Sequence, residues 1–347
     1  MKGGYNKNKM KKILSLLTMA ILVFSIAPVM AVSTGDGITP TIGTEDFPPM
    51  VWQCGRWVAD DAVEPQLYNS PRFNNYAFEG ESISWNVLVL DKNGINKVTD
   101  VYATLGSVQG SDNPVEANCV LVQLGPQEIG ACEAMIGEEN VDPANFQNWN
   151  QVAAMYQCTL TVETPDSMYG EYWATIEAID LDLETGTMAQ NEYWFLNPVV
   201  ALDIRGDLTF DNVRPGTVAY SETLLVGNDA DIGSGVLLDM YISGTNFYDL
   251  DSSAAMCPTS NVLSLNAFSY DATNGQFAVP NMPIRSGDTI AQAGRIMDGS
   301  QFGQAGVNPT NFLAPGAEIG LTFQLALPEP CNGDFNSGDI FFWGEAI

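Results

Sequence analysis

Histidine is absent from the 347 residues, and that omission removes every Ser-His, Cys-His and His-metal mechanism in one step. Bases are scarce as well: Lys and Arg number 13 against 42 Asp and Glu. Five of the bases, Lys2, Lys7, Lys9, Lys11 and Lys12, sit at the N-terminus, so the rest of the chain has 8 bases, 42 acids and a formal charge of −34. The imbalance comes from missing bases, since charged residues are only 16% of the chain where about 25% is usual. Such a surface cannot neutralise phosphates, which excludes nucleic acid and anionic lipid as partners and leaves cations as natural counter-partners. Beyond the N-terminal cluster the lysines are Lys92 and Lys97, which flank one turn and read as solvated charges rather than catalytic amines. Their scarcity also argues against Lys-Asn isopeptide cross-links. There is no Gly-x-Ser-x-Gly elbow, no Asp-Thr-Gly or Asp-Ser-Gly pair and no phosphate-cradling loop. A two-carboxylate glycosidase has no local motif to test; the reading adopted is non-catalytic.

Long apolar runs are missing too, with one exception. Residues 1–12 are basic, 13–27 are almost unbroken apolar, and Val29-Met30-Ala31 places small residues at a cleavage position. This is the pattern of a signal peptide over 1–31, hence of a secreted or cell-surface protein. The alternative is an uncleaved anchor, since 13–30 approaches a bilayer span; the membrane would then be met only through that segment. All six cysteines, Cys54, Cys119, Cys132, Cys158, Cys257 and Cys331, follow the leader. An even count in an exported chain predicts disulfides, and the absence of Cys-x-x-Cys spacing speaks against metal and redox roles. Two bridges are expected in the first half and Cys257 with Cys331 in the second. Four cysteines allow three pairings; a turn at Gly125-Pro126 favours Cys119 with Cys132, leaving Cys54 with Cys158.

Residues 32–49 read as a flexible linker. Beyond it, short apolar runs of period two, bounded by Gly, Pro, Asn and Asp, predict an all-β fold. Residues 83–90 alternate cleanly, reach Asp91-Lys92-Asn93-Gly94 and return along 98–106, which predicts a hairpin. Residues 172–179, with a return along 188–195, predict another, and 156–162 a further strand. Helix signals are scarce; Asp142-Pro143 opens the best of them. Asn197-Pro198 closes the first set of strands. The expected organisation is therefore a first β-sandwich domain over 50–198 and a second over 199–347, each an Ig-like antiparallel sandwich. In the second, strands are expected at 208–213, 220–227, 236–243 and 319–327. Residues 269–317 read as a long decorated loop with a turn at Asn308-Pro309, the favoured place for contacts.

Calcium is the cofactor two acidic loops could take. Asp180 and Asp182 begin a segment like an EF-hand loop, but Thr185 stands where the glycine belongs and Asn191 where the final glutamate belongs. Asn228, Asp229 and Asp231 form the other loop. A plain Asx-turn closing a hairpin is the preferred account of both. Trp173 and Trp194, placed on paired strands, could form a flat platform for glycans, although cross-strand packing is the more frequent use of such residues. The Asn308-Pro309-Thr310 sequon is blocked by its proline.

Several segments resemble exported cell-surface proteins of DPANN-type archaea: residues 73–81, 91–94, 167–173, 191–195, 234–240 and 327–334 carry the likeness. Residues 208–216 resemble the opening of camelysin-type secreted matrix domains. These resemblances imply a surface location and supply no catalytic or binding residue. The expected function is an exported structural or adhesion protein, working through self-association or contact with cell-surface proteins. The alternative is a soluble module recognising glycans or a protein surface, with calcium ordering its loops.

Overall fold

Segments rich in β-branched and aromatic residues become strands because their side chains pack well on a pleated, half-buried surface. The computed structural model describes residues 46–58, 72, 74–110, 113–122, 132, 149–251, 254–275, 277–297 and 311–347. The leader, nearly all of the linker, Asp142-Pro143 and the Asn308-Pro309 turn lie outside the described residues. The first half carries β1 (Met50–Val58), β2 (Tyr76–Ala77), β3 (Ser82–Leu90), β4 (Val98–Gly106), β5 (Val115–Val122), β6 (Ala153–Thr161), β7 (Gly170–Asp180), β8 (Thr185–Thr187) and β9 (Glu192–Leu196). The second carries β10 (Leu202–Arg205), β11 (Val218–Asn228), β12 (Leu238–Gly244), β13 (Phe247–Tyr248), β14 (Val262–Leu263), β15 (Phe268–Asn274), β16 (Phe277–Pro283) and β17 (Arg285–Ser286). It ends with β18 (Gly294–Arg295), β19 (Phe312–Leu313), β20 (Glu318–Ala326) and β21 (Ile340–Ala346). Among the described residues no helix is long and apolar enough to cross a membrane.

The first-half strands run in the order β1-β3-β6-β5-β4-β7-β9-β2, with β8 on β7. Strand β5 belongs to two layers, pairing β6 through 118–122 and β4 through 115–117. The layers face one another over a core that joins Ile83, Trp85, Val87 and Val89 of β3 to Val101, Ala103 and Leu105 of β4 and to Ala174, Ile176 and Ala178 of β7. Leu88 and Leu90 point the other way, into a second cluster with Trp52, Met155 and Cys132. Strand β3 is therefore covered on both faces, and this corrects the expected hairpin. It pairs with β1 and β6, whereas β4 pairs with β5 and β7. The connection through Asp91-Lys92-Asn93-Gly94 is an arch from one layer to the other. The expected hairpin of 172–179 does form, β7 pairing antiparallel with β8 and β9.

Asn197 closes the first half by adopting φ 53° and donating its side-chain amide to the carbonyls of Glu163 (2.8 Å) and Met168 (2.6 Å). Beyond it, one sheet runs β10-β11-β20-β15-β16, and another gathers β17, β18, β19 and β21 on β12. Strand β20 alternates as its sequence predicts, with Ile319, Leu321, Phe323 and Leu325 all buried. Two expectations are corrected here. Residues 208–213 form no strand, and 269–283 is not loop but most of the β15–β16 hairpin. That hairpin was hidden because β16 interrupts its apolar pattern with Pro280, Asn281 and Pro283, tolerable on the open side of an edge strand.

Three disulfides tie the described residues. Cys257 pairs with Cys331, as the division of the cysteines into four before residue 199 and two after it suggests. In the first half, Cys54 pairs with Cys132 and Cys119 with Cys158, replacing the expected Cys119–Cys132 and Cys54–Cys158 bridges. Register explains the difference: Cys119 on β5 stands directly opposite Cys158 on β6, and a cross-strand pair is within bridging reach.

Candidate functional site

Side-chain alternation along β9 decides where its aromatic residues point. Glu192 and Trp194 turn inward and Tyr193 outward, 45% exposed. The register against β7 places Trp173 opposite Tyr193 and Tyr172 opposite Trp194. The expected Trp173/Trp194 platform is therefore corrected: a one-residue shift in register moves a side chain to the other face of the sheet. Trp194 is 2% exposed and packs edge-on against Trp85 at 6.0 Å. The outward pair is Trp173 with Tyr193, their ring centroids 5.5 Å apart and tilted by 43°. It was legible only from the observed pairing, because the sequence places both strands but not their register.

Tyr193 also borders a cleft of about 290 Å³, with Arg56, Asn74, Asn75, Asn191 and Glu192 on one side and Gly233, Ser234 and Gly235 on the other. Strand β1 delivers Arg56 after a register shift between Gln53 and Gly55, the kind of bulge that re-aims a side chain. The guanidinium donates to Asn75 Oδ1 at 2.5 Å and reaches Glu192 Oε2 at 3.4 Å. Asn75 Nδ2 donates to Glu192 Oε1 (3.2 Å) and to the Tyr193 carbonyl (3.0 Å). Trp194 Nε1 donates to the same Glu192 oxygen at 2.9 Å, linking the cleft to the core. Burial pushes the Glu192 carboxyl above its usual range, and Arg56 with the surrounding donors pulls it back. Glu192 is fixed in place by these contacts, whereas Arg56 keeps a half-exposed side chain.

The far wall belongs to the second half of the chain. Asn74 donates to the Gly235 carbonyl at 2.6 Å, Tyr169 donates its hydroxyl to Asp231 Oδ2 at 2.9 Å, and buried Tyr76 donates to the Ile347 carbonyl at 2.9 Å. Gly235 has φ +72°, and an added Cβ there would lie 3.1 Å from Asn74 Cβ, so glycine is needed for this close approach. A larger cleft of about 670 Å³ lies between residues 208–215 and 325–335. Its apolar walls are Leu208, Phe210, Val213, Phe247, Phe268 and Leu327, side chains of the second core, and Asn212, Asn332 and Asp334 line it as well.

The acidic loops fare differently from one another. Asn228 is buried, donating to the carbonyls of Val236 (2.9 Å) and Leu313 (2.7 Å) while its Oδ1 accepts the Ala230 N–H. Asp231 Oδ2 accepts from the Val199 N–H and the Tyr169 hydroxyl, and Asp229 is exposed. The structure does not bring these three together around a common point; they close a turn. Asp180 and Asp182, in contrast, hold carboxylate oxygens within 4.8 Å of one another.

No protein-family model matches the chain, and no curated protein matches it either. Among solved structures, the C-terminal domain of the antigen I/II-family protein AspA of Streptococcus pyogenes shares 11% identity at TM-score 0.29, covering 87% of this chain and 97% of that one. The C-terminal domain of the Streptococcus agalactiae AgI/II polypeptide BspA gives 10% and 0.27, covering 86% and 97%. The sialic-acid-binding region of a Streptococcus sanguinis adhesin gives 13% and 0.21, covering 86% and 78%. At TM-scores this low, the likeness carries no argument about what this chain does.

Proposed function

We propose that the protein is exported, non-catalytic and built from two Ig-like sandwiches over 50–198 and 199–347, and that it recognises glycans at a cell surface. The observation that carries this reading is the outward-facing Trp173–Tyr193 pair, Trp173 half-buried and Tyr193 exposed, beside a cleft walled by Arg56, Asn74 and Asn75. Sugars offer apolar ring faces and many hydroxyls, and such an edge supplies both a stacking surface and side-chain amides at small entropic cost. Three disulfides support a working place outside the cell. The missing histidines and scarce lysines support a binding rather than a catalytic role.

A glycan array probed with the disulfide-oxidised chain tests the proposal. Binding should be selective for a restricted set of glycans and should fall at least tenfold in Trp173→Ala and Tyr193→Ala variants. No binding across the array, or equal binding by both variants, would reject it.

A further inference from the structure

Strand β21 is the outermost described strand of its sheet. It runs along the whole of β12, from Leu238 opposite Ala346 to Gly244 opposite Ile340, while β17, β18 and β19 take the other side of β12. No described strand pairs with the far side of β21. Two bonds at the ends of the ladder fix which backbone groups face that side. The Ile347 N–H donates to the Leu237 carbonyl (3.0 Å) and the Thr245 N–H to the Asp339 carbonyl (2.9 Å). Hydrogen-bonded pairs alternate along an antiparallel ladder, so Phe341, Trp343 and Glu345 bond β12, and Ile340, Phe342, Gly344 and Ala346 turn their N–H and C=O groups outward. Among the described residues none of these four has a backbone partner on that side, and every residue of β21 is half-buried rather than covered.

Open edges invite pairing with another chain, and folded proteins normally blunt them with charge, proline, a bulge or short length. The other described edges carry such devices. Strand β10 is four residues long and bears Asp203 and Arg205, β16 bears Pro280 and Pro283, and β1 shifts register between Gln53 and Gly55 and bears Arg56. Strand β21 reads Ile340-Phe341-Phe342-Trp343-Gly344-Glu345-Ala346, with no proline, no base and an unbroken register. Its one acid, Glu345, is engaged by the Tyr241 hydroxyl of β12 at 3.1 Å. Seven residues of high β-propensity and low charge form a pairing edge, not a blunted one.

We propose that β21 pairs antiparallel with β21 of a second copy of the chain, about a two-fold axis at Trp343. The outward groups are then their own complement: Ile340 faces Ala346 and Phe342 faces Gly344 of the second copy, each as a hydrogen-bonded pair, and the two Trp343 residues meet at the axis. Charge selects this register. Glu345 falls opposite Phe341, and the two Glu345 residues lie four positions apart, about 13 Å at ~3.3 Å per residue, beyond the screening length of about 8 Å at physiological salt. An axis at Gly344 would bring those carboxylates to about 7 Å, and an axis at Phe342 would set Glu345 against Asp339, a like-charge pair that destabilises a sheet. The rings of Phe341 and Trp343, 6.1 Å apart, continue across the axis into those of the second copy. One such edge on each chain, joined by a two-fold axis, closes as a dimer and not a fibre.

The test is sedimentation equilibrium of the disulfide-oxidised chain from micromolar to submillimolar concentration, in NaCl high enough to screen the repulsion between two acidic chains. A reversible monomer–dimer equilibrium is expected. Trp343 is half-buried and stands outside the second core, so Trp343→Lys and Trp343→Glu should keep the fold, which thermal melts check. Each places like charges face to face at the axis and should weaken the dimer at least tenfold. An equimolar mixture of the two variants sets Lys against Glu and should restore dimers, a rescue that damage to the fold would not produce. A monomer at every concentration, or a dimer that neither variant weakens, would overturn the proposal. Two variants that dissociate alone and fail to associate when mixed would overturn the axis at Trp343.

Discussion

Arg295 Nη2 lies 2.6 Å from Asp239 Oδ2, and the carboxylate it meets is 1% exposed. The same oxygen accepts the Tyr241 hydroxyl at 2.7 Å, and Asn311 donates its amide to Oδ1. Asn311 also donates to the Met240 carbonyl at 2.7 Å and accepts the Met297 N–H, so the network pins β12 and β18 to the segment before β19. Burial pushes the Asp239 carboxyl above the usual carboxylate range against the lowering pull of Tyr241, Arg295 and Asn311.

Arg295→Met is therefore expected to destabilise the fold by about 3 kcal/mol at neutral pH, because it leaves a buried charge without its counter-ion. The sign of the pH dependence follows from the raised carboxyl. A group whose pKa is higher folded than unfolded contributes stability at low pH, and that stability is lost as pH rises through the folded value. Removing the guanidinium raises the folded value further. Melting midpoints from pH 5 to pH 8 should fall more steeply in Arg295→Met than in the wild type; parallel curves would show that Asp239 does not titrate in this range.

Trp194 and Tyr193 are neighbours in sequence with opposite duties. Trp194→Ala empties a core position beside Trp85 and should cost about 3–5 kcal/mol in chemical denaturation. Tyr193→Ala removes an outward ring and should change stability by less than about 1 kcal/mol while weakening glycan binding. Similar losses of stability in both variants would place Tyr193 in the packing rather than at the binding surface.

The strands were legible because alternation reports which side chains share a face, and β7, β9 and β20 fall close to where their patterns put them. Partnership was not legible. Clean alternation in β3 suggested one buried face, yet Leu88 and Leu90 are as buried as Val87 and Val89, since Trp52, Cys132 and Met155 pack with them on the outer side. With β3 central, its sequence neighbour β4 had to pair elsewhere. Register was equally hidden, which is why Trp194 was expected at a platform that Tyr193 occupies. The acidic run 180–182 was visible in the sequence as a turn, and Asp180 holds that turn, its Oδ1 accepting the N–H groups of Asp182 and Glu184.

Peptide mapping of the oxidised chain should recover Cys54 linked to Cys132, Cys119 to Cys158 and Cys257 to Cys331. The double substitution Cys119→Ser with Cys158→Ser is expected to cost about 2–4 kcal/mol, the usual range for a bridge closing a loop of tens of residues. A Cys119–Cys132 peptide would mean that β5 and β6 are not in the register that sets these two cysteines face to face.

Asn228 offers a separate test of whether the second acidic loop is a turn or a cation cage. Its amide faces two carbonyls, those of Val236 and Leu313, and the residue is 1% exposed. Asn228→Asp exchanges a double donor for a carboxylate aimed at two acceptors, so its ionised form is repelled and its folded pKa must rise. In a turn, the variant is destabilised, and more so as pH climbs through that raised value. In a cation cage, the added charge would instead increase stability when calcium is supplied. Thermal melts of Asn228→Asp at pH 5 and pH 8, each with and without calcium, separate the two: a lower midpoint at pH 8 that calcium does not restore is the outcome expected from these hydrogen bonds.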